Sequence, residues 1–126
     1  SKQRKAGKTM DELKEIYEIA GSDPKEVIAR YGGNEEMLRR FLRLFARDDS
    51  FAKLQEALAA GNADGAFRAV HTLKGICANL GFARLYEKSS EMTELLRRGE
   101  LDKAAPLFTG LEDEYAKVLG VLNRYL

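Results

Sequence analysis

Apolar residues recur three and four positions apart along almost the whole chain, and this spacing limits the possible folds more than any other feature. β-Branched residues are sparse, whereas the helix-favouring residues Ala, Leu, Glu, Lys and Arg fill long stretches. With 126 residues, 44% of them hydrophobic, the chain can bury one core but is too short for two ordinary domains. The sequence therefore predicts a single all-α domain.

Capping residues and glycines divide the pattern into separate helices. We predict helices at about 10–20, 24–31, 34–47, 63–80 and 82–98, and a final helix from near 102. Pro106 is compatible with the final helix only close to its first turn. The Asp48-Asp49-Ser50 cluster either breaks or bends the helical pattern that continues to Gly61, and both alternatives stay open.

Amphipathic helices joined by short links are best buried as a bundle. We expect an antiparallel four-helix bundle with two additional short N-terminal helices packed on one end. In this interpretation residues 1–8 are a basic flexible tail and residues 9–126 form the bundle domain. We expect a monomer because the pattern leaves no obvious spare apolar stripe, although the helices at 10–20 and 24–31 could support a dimer.

Charge and composition argue against several classes of function. The net charge is +1, so no overall field draws the protein to nucleic acid or a membrane surface. No apolar run approaches the roughly 20 residues that span a bilayer. A single cysteine, Cys77, cannot form an internal disulfide. These features predict a cytoplasmic protein, and they leave open whether the chain stands alone or is part of a larger one.

His71 is the only histidine, so chemistry that needs an imidazole must use it. In the predicted helix 63–80 it points roughly 130° away from the apolar side. That apolar side consists of Ala63, Ala66, Phe67, Val70, Leu73, Cys77 and Leu80. The residues that share the side of His71 are Asp64, Arg68, Gly75 and Ala78. We therefore predict an exposed imidazole; a hydrogen-bonded core histidine would need the apolar face.

Two neighbours of His71 suit a group-carrying imidazole. Gly75, one turn later, lacks a side chain and clears space beside the imidazole, although it costs about 1 kcal/mol relative to alanine inside a helix. The other explanation, close helix packing, is less compatible with the solvent side. Lys74 can bring its ammonium near a phosphoryl group on the imidazole, or can be ordinary surface charge. We find no metal cluster and no carboxylate-imidazole-hydroxyl relay, so the pattern favours a carrier over an enzyme.

The segment Ala69-Val70-His71-Thr72-Leu73-Lys74-Gly75, continuing to Asn79-Leu80-Gly81, closely resembles the signature of histidine phosphotransfer (HPt) domains of multistep two-component phosphorelays. The resemblance extends over the helices from about Asn34 to Leu126. It departs from the family at Ile76 and Cys77, where many members carry smaller residues. We assign Cys77 no chemistry, because it falls on the core side.

The resemblance implies that His71 accepts a phosphoryl group from a receiver-domain aspartate and yields it to another. Lys74 would then stabilise the phosphoryl charge and Gly75 would give steric access. The implied partners are response-regulator receiver domains and hybrid histidine kinases, and the receiver supplies Mg²⁺, so the chain needs no cofactor or metal of its own. The chain lacks a Gly-rich nucleotide-binding loop, so we do not expect it to be an ATP-dependent kinase.

A partner-binding surface is expected around the histidine. The residues that we place in it are Arg68, Ala78 and Asn79, together with Arg84 and Lys88 from the following helix. Exposed basic residues often only keep a helix face in contact with water. This assignment therefore depends more on where the residues lie relative to His71 than on their being basic.

Two other functions compete with phosphotransfer. One is a helical interaction module that binds receiver or kinase domains and transfers nothing; the intact His-x-x-Lys-Gly pattern argues against it. The other is nucleic-acid binding. Its candidate residues are Lys2, Arg4, Lys5 and Lys8 in the tail, and Arg39, Arg40, Arg43 and Arg47 on one helix. A solvated tail and helix face explain these charges better.

Overall fold

A computed structural model describes the backbone of residues 2–126 and the side chains of residues 7–126. Over this part the chain is helical and contains no β-strand, which confirms the all-α prediction. The elements are α1 (Lys2–Ala20), α2 (Pro24–Arg30), α3 (Glu35–Arg47), α4 (Ser50–Ala59), α5 (Ala63–Leu80), α6 (Ala83–Arg97), α7 (Leu101–Ala104), a 3₁₀ turn (Ala105–Leu107) and α8 (Phe108–Tyr125).

Local capping signals determine where several helices begin and end. The Asn62 side chain accepts a hydrogen bond from the backbone N–H of Gly65 at 2.9 Å and so starts α5. Gly81 ends α5 in the left-handed conformation, with φ of 72°. Asp23 and Asn34 cap α2 and α3 in the same way as Asn62 caps α5. Because these signals are local, the predicted bounds of the three helices agree closely with the structure.

The Asp48-Asp49-Ser50 cluster breaks the helical pattern instead of bending it. α3 ends at Arg47, and Asp48 has an extended backbone with ψ of 141°. The carboxylate of Asp48 accepts a hydrogen bond from the backbone N–H of Ser50 at 2.9 Å. This local bond offers the chain an alternative to the backbone hydrogen bonds of a continuous helix, and α4 begins as a separate helix at Ser50.

Two predicted boundaries were wrong. The last helix does not run unbroken from near 102, since α7 and a 3₁₀ turn precede α8; Pro106 lies in that turn and lacks the N–H that an α-helix needs. The first helix spans 19 residues and begins at Lys2, not near residue 10, so it is not short and includes residues 2–8. Lys, Gln, Arg and Ala there favour a helix, and a single Gly7 does not end it.

The helices form a bundle around one core. α4 packs on α5, α5 on α6, α6 on α8, and α3 on both α8 and α5, while α1 lies along α8. The largest fully buried side chains are Tyr17, Phe45, Phe82, Leu13, Ile16, Leu38, Leu42, Leu54, Leu73, Leu85, Met92 and Leu111. Since Leu13, Ile16 and Tyr17 belong to α1, the N-terminal helix contributes to this core as the later helices do.

Side chains of the N-terminal segment bind the C-terminal end of α5. The three hydrogen bonds are Arg30 Nη1 to Ala78 O (2.8 Å), Tyr31 Oη to Asn79 O (2.9 Å) and Tyr17 Oη to Leu80 O (2.7 Å). The last carbonyls of a helix have no partner within that helix, so these donors satisfy groups that the helix itself leaves unpaired. The N-terminal helices thus fix the end of the helix that carries His71.

α3 carries apolar residues on two neighbouring sides. Its buried side consists of Leu38, Leu42 and Phe45. A second stripe, Met37, Phe41 and Leu44, is exposed to solvent. The expectation that no spare apolar stripe remains was therefore wrong, because the helix has more apolar positions than one buried face can accommodate. The oligomeric state itself stays a prediction.

No helix in the described part of the chain combines the length and apolar character needed to cross a membrane.

Candidate functional site

His71 lies in the middle of α5 with its imidazole exposed, as predicted. The other residues expected on its side, Asp64, Arg68, Gly75 and Ala78, are exposed as well. On the opposite side of α5 the buried residues are Ala66, Ala69, Val70, Leu73, Cys77 and Leu80. The imidazole is therefore accessible to a partner, and the prediction of an outward-facing histidine is confirmed.

The nearest aromatic neighbour of the imidazole is Phe67, one turn earlier on α5. The two ring centroids are 5.7 Å apart and the ring planes are inclined by 41°. We expected Phe67 on the core side, but its side chain is only partly buried and lies at the edge of the core. From the neighbouring helix α6, Arg97 places its guanidinium carbon 5.2 Å from the centroid of the Phe67 ring.

Lys74 and Gly75 follow His71 by three and four residues, so they lie on the next turn of the same helix. A Cβ atom built on Gly75 would have no neighbouring atom within 4 Å, so this glycine is not required for helix packing. The side chain of Lys74 is partly exposed. The structure therefore places Lys74 and the open position of Gly75 on the helical turn that follows His71.

The five residues expected in the partner-binding surface separate into two groups. Arg68, which pairs with Asp64 at 3.3 Å, and the exposed residues Ala78 and Asn79 lie along α5 with His71. Arg84 and Lys88 of α6 are directed to other elements.

Arg84 donates a hydrogen bond to the carbonyl of Ile19 at 2.9 Å, and its side chain covers Gly21. The ammonium of Lys88 lies beside Gly110 of α8. Both side chains therefore serve contacts within the bundle.

A groove of about 470 Å³ between α3 and α5 lies one to two turns from His71. Its walls include Tyr31, Phe41, Leu44, Asp48, Ile76 and Asn79. Of these residues, we assigned only Asn79 to a binding surface from the sequence. The signal was nevertheless present, because Met37, Phe41 and Leu44 repeat at four- and three-residue spacing beside the buried stripe of α3.

Cys77 is fully buried, and burial raises the pKa of its thiol to about 12, with a smaller contribution from the charge of Asp48. A thiol that stays protonated is neither a good nucleophile nor a metal ligand. Among the residues whose side chains are described, no group of three His, Cys, Asp or Glu could hold a metal ion.

One of the residues considered for nucleic-acid binding is engaged within the protein. The Arg39 guanidinium lies 3.0 Å from the carboxylate of Glu12 and is largely buried, so this charge is neutralised within the protein. Lys8 and the other three arginines of α3 are exposed. The side chains of Lys2, Arg4 and Lys5 lie outside the described residues.

One of three comparisons with known proteins gave a match. A comparison with curated proteins and one with solved structures each gave no match. The sequence model of the Hpt domain matches residues 36–120, about two thirds of the chain, and this range includes α5 and His71. Hpt domains are phosphoryl carriers that interact with receiver domains and histidine kinases in phosphorelays. The length of this match, centred on a helix that exposes its one histidine, shows that the chain belongs to the Hpt domain family.

Proposed function

We propose that this chain accepts a phosphoryl group on His71 from the aspartyl phosphate of a receiver domain and passes it to the aspartate of another receiver. The observation that carries the proposal is the exposure of His71 in the middle of α5, with Lys74 and the bare Gly75 on the next turn. Membership of the Hpt family supports histidine as the acceptor.

In the transfer step, a neutral imidazole nitrogen attacks the phosphorus in line with the bond to the aspartate oxygen. The N–P bond forms as the O–P bond breaks, and the aspartate leaves as a carboxylate. Phosphoryl transfer depends mainly on alignment and on stabilising the charge of the equatorial oxygens. Passing the group to a second receiver is the same step in reverse.

Each residue beside His71 has a distinct part in this proposal. Lys74 offsets negative charge on the phosphoryl oxygens, since its flexible chain starts one turn away. Gly75 leaves room for the receiver to approach the outer nitrogen, because no atom occupies the space where its side chain would be. The acidic Mg²⁺ site belongs to the receiver, and the chain uses no ATP of its own.

The receiver would dock over His71 and the adjoining groove between α3 and α5. On α5 this surface includes Arg68, Ala78 and Asn79, and on α3 it includes Phe41 and Leu44. The exposed arginines of α3 beside the apolar stripe suit a partner with an acidic phosphorylation site. A hybrid histidine kinase, which contains a receiver domain, is the expected donor.

We further propose that the bundle is an antiparallel four-helix bundle with two additional N-terminal helices, α1 and α2. In this interpretation α3 and α4 together act as one bundle helix that is broken at Asp48, and α5, α6 and α8 are the other three. The neighbour pairs α4–α5, α5–α6, α6–α8 and α3–α8 support this arrangement. α5 then presents the histidine from the outer surface of the bundle.

The test is phosphotransfer from a panel of phosphorylated receiver domains in the presence of Mg²⁺. We compare the wild type with His71→Gln and measure acid-labile, alkali-stable phosphate on the chain, the signature of a phosphohistidine. The matched control is Glu91→Gln, which introduces the same side chain at an exposed position of α6. We expect label on the wild type and on Glu91→Gln, and none on His71→Gln.

Transfer that persists in His71→Gln would rule out His71 as the acceptor. A folded wild type that binds receivers but takes label from none of them would favour the interaction module that transfers nothing. Circular dichroism verifies that each variant remains helical.

A further inference from the structure

His71 has an unusual set of neighbours for a nucleophilic histidine. In residues 7–126, its imidazole makes one ring contact, with Phe67, and no side-chain hydrogen bond. A reactive histidine is commonly oriented by a carboxylate or carbonyl that accepts a hydrogen bond from the second ring nitrogen. Among residues 7–126, the contact that can orient the ring is therefore its packing against Phe67.

Phe67 is well placed to supply this packing. Side chains of an α-helix lean toward its N-terminus, so the imidazole of His71 leans over the turn that carries Phe67. The centroid distance of 5.7 Å places the two rings in contact at an angle of 41°. Because Phe67 is partly buried at the edge of the core, its ring has less freedom than a fully exposed side chain.

Arg97 of α6 restrains Phe67 from the second helix of the hairpin. Its guanidinium carbon lies 5.2 Å from the ring centroid, a cation–π distance, and its Nε lies 3.4 Å from the carboxylate of Glu94. Glu94 thus holds the guanidinium on the α6 side. Contacts therefore run from Glu94 to Arg97, from Arg97 to Phe67 and from Phe67 to His71. They connect α6 to the imidazole ring, and neither imidazole nitrogen takes part in them.

We propose that Phe67, held by Arg97, is a positioning residue that sets the orientation of the His71 imidazole for in-line attack on the receiver phosphate. This inference rests on the proposed function of His71. An apolar contact orients the ring and leaves both nitrogens without an internal partner, so one can attack while the other faces water. Arg97 acts through Phe67 and need not touch the phosphoryl group.

The first experiment compares Phe67→Leu with Phe67→Tyr in single-turnover transfer from a phosphorylated receiver. We expect Phe67→Leu to lower the rate at saturating receiver about tenfold, because misalignment of reacting groups by an ångström can cost up to about a hundredfold. Receiver affinity should stay unchanged. Phe67→Tyr keeps the ring and should restore the rate. The control Phe51→Leu removes a comparable partly buried ring that packs on Phe108 and Tyr115, and should not change the rate.

Nuclear magnetic resonance gives a readout independent of transfer. The ring current of Phe67 should shift the resonances of the His71 ring protons, and this shift should disappear in Phe67→Leu and persist in Phe51→Leu. If His71 resonances are the same in Phe67→Leu and the wild type, the rings are not in contact in solution and the positioning role is wrong.

The second experiment is a double-mutant cycle with Arg97→Gln. We expect Arg97→Gln to slow transfer about threefold in the wild type, the size of an exposed cation–π contact, and to have no further effect in Phe67→Leu. Arg98→Gln is the control, since Arg98 is also exposed and pairs with Glu100. An Arg97 effect that persists in Phe67→Leu would mean that Arg97 acts directly on the phosphoryl group, which overturns its action through Phe67.

The two proposals fail in different ways. A wild type that takes no label from any receiver overturns the proposed function and this inference with it. A wild type that transfers normally, with Phe67→Leu as fast as the wild type, overturns only the positioning role.

Discussion

The middle of α5 and its C-terminal end are held in different ways. At the end, three carbonyls accept hydrogen bonds from side chains of the N-terminal segment. In the middle, His71 is exposed and its one ring contact is with Phe67. The end of the helix is thus fixed by side-chain hydrogen bonds from other elements, whereas the imidazole of His71 makes no side-chain hydrogen bond within residues 7–126. The comparison teaches that a helix can be firmly anchored at its end and still expose a side chain in its middle that is held by packing alone.

The anchoring groups lie outside the part of the chain that matches the family. Tyr17, Arg30 and Tyr31 all precede residue 36, where the match begins. They nevertheless complete the end of the helix at the centre of that match. Changes at the anchored end should therefore alter stability, and changes on the outer face should alter transfer.

The largest effect is expected for Gly81→Ala at the anchored end. Gly81 has φ of 72°, and an added Cβ would lie 2.4 Å from a methyl carbon of Val27. Backbone strain and the clash together should lower the free energy of unfolding by about 3 kcal/mol, measured by urea denaturation. The rate of transfer by the folded fraction should not change.

Gly99→Ala is the matched control for Gly81→Ala. Gly99 has φ of 74°, but the space beside it is open. In this variant only the backbone strain should lower the free energy of unfolding, by about 1–2 kcal/mol. Equal losses in the two variants would show that Val27 moves aside easily and that α2 does not pack firmly on the end of α5.

A smaller effect is expected for Tyr17→Phe, which removes the buried hydrogen bond to Leu80 O at 2.7 Å. The loss should be about 1–2 kcal/mol in urea denaturation, because the buried carbonyl is left without its donor. Tyr31→Phe is the control, since its bond to Asn79 O is exposed and water can replace the hydroxyl. If Tyr31→Phe were the more damaging variant, the anchor would depend on the exposed bond.

The Tyr17 bond also predicts a pH dependence. Burial raises the pKa of the Tyr17 phenol, so the folded protein keeps the proton at pH values where the unfolded chain has lost it. The resulting stability is complete below about pH 10, the ordinary pKa of tyrosine, and declines as pH rises above that value. The stability difference between the wild type and Tyr17→Phe should therefore narrow above pH 10.

The smallest change in stability is an increase, and it is expected for Gly75→Ala on the outer face of α5. Gly75→Ala should raise the free energy of unfolding by about 0.5–1 kcal/mol, because alanine favours a helix and its Cβ meets no atom. Transfer should nevertheless slow several-fold, since the methyl group occupies the approach to His71. Gly120→Ala in α8 is the control, because that space is open too. It should stabilise equally and leave transfer unchanged; transfer unaffected by Gly75→Ala would remove steric access as the role of Gly75.

Local features of the fold could be predicted from the sequence. The bounds of α5 depend on Asn62 and Gly81, which act on their own neighbours, and the exposure of His71 follows from the helical period. Long-range features could not be predicted in this way. The contact of Arg97 with Phe67 depends on how α5 and α6 pair, and the bond from Tyr17 to Leu80 joins residues 63 positions apart.

For some residues the helical period alone cannot tell whether the side chain faces the core or the solvent. Phe67 lies at the border between the two sides of α5, and a rotation of the helix by a fraction of a turn decides whether its ring enters the core or contacts His71. The segment around His71 resembles the HPt signature in spacing and residue type, and this resemblance pointed to His71, Lys74 and Gly75 together. The second apolar stripe of α3 is visible in the sequence spacing, but the helical period alone does not tell which of two neighbouring apolar stripes becomes buried.

The lack of internal bonds at His71 has a thermodynamic consequence for the proposed carrier. A group attached to this imidazole displaces no internal hydrogen-bond partner in the described part of the chain. A modification with no differential contact to the folded protein cannot shift its conformational equilibrium. The contact that we propose for the phosphoryl group is with Lys74, which is partly exposed and follows on the next turn of the same helix. Because an exposed charge contact adds little stability, the loaded and empty forms should melt at nearly the same temperature. The direction in which phosphoryl groups flow is then set by the free energies of the receiver phosphates on either side, and the module itself is reversible.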